Sequence, residues 1–117
     1  MTLENRIRSA LLTFGDPVQV EPFVPEDGNQ YPPRYYTFRI STRGANSADN
    51  APQHELAYVL VHFICPTSWD SVTRVEQTKK ALFAAGTTWP NKEDASDTNG
   101  QDIIFECQIA TGVDAHG

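Results

Sequence analysis

The sequence predicts an α+β fold: a two-layer sandwich with a mainly antiparallel sheet of about four strands, flanked by two helices, in the order α-β-β-β-α-β. Three observations carry that expectation. Two segments repeat apolar residues every three or four positions, as helices lying on a core do. One run, "HELAYVLVHFICP" at 54–66, is apolar at odd and even positions alike, as a central strand is. Another, "DIIFECQIAT" at 102–111, fits the two-residue period of a strand with one buried face.

The first helix is expected over 2–14. Leu3, Ile7, Ala10, Leu11 and Phe14 form one stripe, Thr2 is placed to cap, Glu4 suits the positive end, and Gly15 with Asp16-Pro17 stops the helix. "VQVEPFV" at 18–24 reads as a short strand whose Pro22 marks an edge or a bulge. After the turn-rich 25–34, "YYTFRIS" at 35–41 has the aromatic and β-branched content of a strand. "TRGANSADNAPQ" at 42–53 is small, polar and aperiodic, so a long mobile loop or an extended arm is expected there.

In the central run, Ala57, Val59, Val61, Phe63 and Cys65 form one face, and Leu56, Tyr58, Leu60 and Ile64 the other. Such a strand needs cover on both sides, and a partner subunit is one candidate for the second cover. Thr67 and Asp70 fit a capping pattern before a helix at about 68–85. Its buried stripe is expected from Trp69, Val72, Val75, Leu82 and Phe83, with Glu76 and Lys80 paired on its surface. In the last strand, Ile103, Phe105, Cys107 and Ile109 share a face opposite Ile104, Glu106, Gln108 and Ala110.

With 117 residues, one domain spanning 1–117 is expected. Hydrophobic residues make up 39% and charged residues 21%, enough apolar surface for a core. The net charge of −6, with scattered Lys and Arg, disfavours a grip on nucleic-acid phosphates. No stretch approaches the ~18 apolar residues of a membrane span, and the N-terminal segment lacks a signal-peptide pattern. Cys65 and Cys107 lie in apolar runs; reduced, buried thiols are favoured, and a disulfide between neighbouring strands stays open.

The chemical motifs are weak. "ASDTNGQDIIFE" at 95–106 nearly fits a calcium loop, with Asp97, Asn99, Gly100 and Glu106 at ligand or turn positions. Its first position is Ala95 and a strand follows it, so a turn is expected instead. His54 and His62 are too far apart along a strand to share a metal, and no C-x-x-C pair, nucleophile elbow or phosphate loop is present. Tyr35, Tyr36 and Phe38 lack basic neighbours and read as sheet packing, and Trp69 and Trp89 read as packing at the ends of the second helix. No metal, cofactor or catalytic residue is expected.

"LENRIRSALLTFGDPV", "APQHELAYVLVHFICP", "TKKALFAAG", "TWP" and "GQDIIFECQIATGVD", in that order and spacing, resemble the tail terminator (tail completion) proteins of long-tailed bacteriophages. The resemblance spans nearly the whole chain. It implies a non-enzymatic virion protein of the tail or neck, made in the host cytoplasm and assembled as a hexameric ring. Such a ring caps the completed tail tube, stops polymerisation and offers a surface to the head. Its implied partners are further copies of itself, the tail tube protein and the head connector or head-closure protein, with DNA only as passing cargo. Within the arm, Arg43, Asn46, Asp49 and Asn50 are the expected subunit or tube contacts. A head-closure component of the same assembly, or a ligand-binding or enzymatic domain of similar fold, is the alternative.

Overall fold

A computed structural model describes residues 2–26, 30–42 and 56–110. The order is helix α1 (Leu3–Leu12), strands β1 (Val18–Val20), β2 (Tyr35–Thr42) and β3 (Leu56–Cys65), helix α2 (Val72–Ala84), and strands β4 (Asn91–Asp94) and β5 (Gln101–Ala110). The expected α+β order is present, with the short β4 added before the last strand. The five strands lie in the order β1-β2-β3-β5-β4. All pairings are antiparallel except β1 with β2, because the chain between them returns to the same end of the sheet. Among the described residues no helix is long and apolar enough to cross a membrane.

Local chemistry sets the element ends. The Thr2 hydroxyl accepts the Asn5 N–H at 3.1 Å, and Gly15 takes a φ of 86° just past α1. Helix α2 starts later than expected, at Val72 rather than near 68. Pro66 opens a turn closed by the Trp69 N–H, and the Asp70 carboxylate accepts the Val72 N–H at 3.1 Å. The N-cap is Ser71, whose side chain makes no capping bond, and the Asp70 carboxylate just before it takes the first helical N–H in place of the expected Thr67–Asp70 box. The expected stripe is also corrected: Val75, Thr78 and Leu82 are buried, whereas Val72 is 71% and Phe83 55% exposed. With the helix beginning at Val72, positions 75, 78 and 82 share the core-facing side at three- and four-residue spacing. Val72 and Phe83, eleven residues apart, share another face. On the outside Glu76 pairs with Lys79 at 3.4 Å rather than with Lys80.

Both helices cover one face of the sheet. Ile7, Leu11, Val75 and Leu82 pack with Tyr36, Phe38, the odd residues of β3 and the odd residues of β5 into a single core. Inside it the Thr78 hydroxyl donates to the Arg74 carbonyl, so the Tyr36 hydroxyl donates to Thr78 at 2.7 Å. Burial raises the Tyr36 phenol above its ordinary value, against the lowering effect of the Thr78 and Arg74 hydrogen bonds. At the rim, Asp16 accepts from Arg74 at 2.6 Å and lies 3.6 Å from Arg34. The Arg74 guanidinium stacks within 5.0–5.3 Å of Phe14, Phe63 and Trp69. Burial is the largest single effect and works against that charge, but the hydrogen bonds and charges of Asp16 and Tyr36 together outweigh it and raise the Arg74 pKa. This knot ties the end of α1 to α2 and to the entry of β2.

Cys65 and Cys107 are free and buried in the core. Cys65 pairs with Gln101 and Cys107 with Val59, so six strand residues, roughly 20 Å, separate them, too far for a disulfide. Burial raises both thiols above their ordinary range.

Candidate functional site

Strand alternation leaves the second face of the sheet to be settled. In β3 the even residues Leu56, Tyr58, Leu60, His62 and Ile64 point away from the helices, and Leu56 and Tyr58 are each 42% exposed. Register places them in rows across the sheet. Tyr35 lies beside Ile64 and Ile64 beside Asp102; Thr37, His62 and Ile104 follow, then Arg39, Leu60 and Glu106, then Ser41, Tyr58 and Gln108. One end of this face is covered by the chain's own residues. Phe23 packs on Tyr35 with ring centroids 4.3 Å apart, and Tyr31 closes the group at 5.7 Å from Tyr35. Gln19 holds that lip in place, its amide accepting from the Val24 N–H and donating to the Val24 carbonyl, both at 2.9 Å.

Beyond the lip the face opens into a trough of about 840 Å³, lined among others by Arg39, Tyr58, Leu60, Trp89, Asn91 and Glu106. Trp89 reaches it from the loop after α2, where the Thr88 N–H donates to the Gln108 carbonyl and the Thr88 hydroxyl accepts the Gln108 N–H. The indole stacks edge-on against Phe83 at 5.5 Å and stays 47% exposed. It therefore joins the outer end of α2 to the rim of the trough. Trp69 behaves as expected of a packing residue, edge-on to Phe63 at 5.7 Å.

Within the lip, His62 Nδ1 lies 2.8 Å from Asp102 Oδ1, in a shallow depression shared with Glu21, Tyr31 and Thr37. A histidine oriented by a carboxylate has the geometry that suits proton transfer. Burial, followed by the charges of Tyr31 and Asp102, raises the Tyr35 phenol and keeps it neutral.

The near-calcium segment is a turn. Asp97 and Gly100 face each other across a bridge, and the Asp97 and Asp94 carboxylates accept the Asn99 and Ser96 N–H groups at 2.8 and 2.9 Å. The Ser96 hydrogen bonds lower the Asp94 pKa. Glu106 stands in β5, on the outer face beside Leu60. Among the described residues no group of three His, Cys, Asp or Glu side chains is placed to hold one metal ion.

The expected contacts Arg43, Asn46, Asp49 and Asn50, with the arm beyond Thr42, lie outside the described residues. The residues of the open face were not singled out in the sequence as a site. Parity marks each side chain's face, but the Arg39–Leu60–Glu106 row requires the register between three strands. Set against known families and curated proteins, the chain matches no family model and no curated relative.

Proposed function

We propose that this chain is a subunit of a ring that closes a tubular phage assembly, the role of a tail terminator. The observation that carries the reading is exposure of large apolar side chains on two opposite sides of one thin sandwich. On the helix side, Val72 and Phe83 face outward from α2, and on the sheet side Leu56 and Tyr58 stand in the open. A ring subunit needs differing surfaces for its neighbour on each side, and another for the tube it seals. Contacts of that kind bury what a lone domain of this size leaves wet. The sheet edges are poorly suited to open-ended strand addition: β1 has three residues, and β4 is the exposed, charged "NKED". Growth by endless sheet extension is blocked, while closed side-by-side assembly is not. The head connector and the tube are the partners in this reading, and the ring's working place is the virion neck.

Electron microscopy of the purified protein, alone and mixed with polymerising tail tubes, tests the proposal. The expected result is closed rings, seated at the ends of tubes that stop growing. Tubes that lengthen unchanged, with no ring at their ends, would overturn it.

A further inference from the structure

The row Arg39–Leu60–Glu106 crosses the middle of the open face, with a basic residue on β2, an apolar residue on β3 and an acidic residue on β5. Arg39 and Glu106 are both exposed, and neither has an ion-pair partner among the described residues. Strand spacing puts the backbones of the outer two about 10 Å apart with Leu60 between them. When two open faces are stacked, a two-fold axis lying between them and running along β3 at Leu60 carries Arg39 of one copy over Glu106 of the other, and the reverse. The row is thus complementary to itself.

We propose that the open face is an isologous docking surface for a second copy of this chain, with two Arg39–Glu106 contacts flanking a Leu60–Leu60 centre. Sheets pack face to face at about 10 Å with their side chains interdigitated, and the open trough gives room for that. Charge decides the register and the apolar centre supplies the burial. The contact shares the sheet face with the ring reading but is separable from it, because it relates two copies by a two-fold axis and needs no tube.

Charge reversal tests it, read as mass in dilute solution by analytical ultracentrifugation. The native chain is expected to form pairs. Arg39→Glu alone and Glu106→Arg alone each create two like-charge contacts and weaken pairing by about a hundredfold. The double variant, carrying both substitutions, recovers it. Mixing the two single variants produces a mixed pair, because one chain then offers two acidic groups on the row and the other two basic ones. Circular dichroism shows each variant folded before its mass is read. A native chain that stays single at every concentration overturns the proposal, as do single variants that pair like the native chain or a mixture that yields no mixed pair.

Discussion

At the scale of single residues, burial determines which groups stay neutral and which bind. The Cys65 and Cys107 thiols, with ordinary values of 9.0, and the Tyr35 and Tyr36 phenols, with ordinary values of 10.0, are all raised chiefly by burial. The fold thus holds these protons more tightly than the unfolded chain. Below about pH 9 the unfolded chain keeps them too, and the stabilisation is complete. Above that the unfolded chain releases them first, so stability falls as pH climbs toward the folded values. Urea titrations should give a constant midpoint from about pH 7 to about pH 8.5 and a declining one beyond about pH 9. Tyr36→Phe should flatten part of that decline. A midpoint that rises over the alkaline range would contradict the assignment. Gln101 is the other decisive residue: its amide donates to the Pro66 and Trp69 carbonyls at 2.8 and 2.7 Å, and its carbonyl accepts from Ser71 at 2.9 Å. That clamp sets the late start of α2.

At the scale of elements, much of the architecture was legible. The stripe Leu3–Ile7–Leu11 announced α1, and the odd residues of β3 and β5 are the buried ones, as their alternation required. Helix α2 was legible in kind but not in phase, because Trp69 and Val72 supply apolar signal before the helical geometry begins. Trp69 belongs to the preceding turn. Strand β4 was not legible, since "NKED" has no apolar residue and exists as a strand only because β5 offers it an edge. The open face was half legible: the apolar even positions of β3 called for cover, but the charged row and the Trp89 rim depend on pairing between distant segments. The corrected phase of α2 has a measurable consequence. Leu82→Ala should cost about 2–5 kcal/mol by emptying a fully buried position. Phe83→Ser, one residue on, should change stability far less, by about 1 kcal/mol at most, through its loss of contact with Trp89. Chemical denaturation of the two variants distinguishes them, and equal losses would restore the expected stripe.

At the scale of the whole molecule, one layer of helices covers one layer of sheet, and the sheet's other face carries apolar, charged and aromatic side chains together. The chain closes that face at one end with Phe23 and Tyr31 and leaves the rest as a trough. The central claim is that protein covers this face in the working state. The most direct measurement is thiol labelling of a Tyr58→Cys variant across a concentration series and in assembled rings. Cys65 and Cys107 are buried and their thiols held neutral, so the added thiol is read against a silent background. The account predicts rapid labelling in dilute solution and protection by about tenfold or more once copies associate, because a docked face excludes the reagent. Labelling at one rate in dilute and assembled protein alike would contradict it.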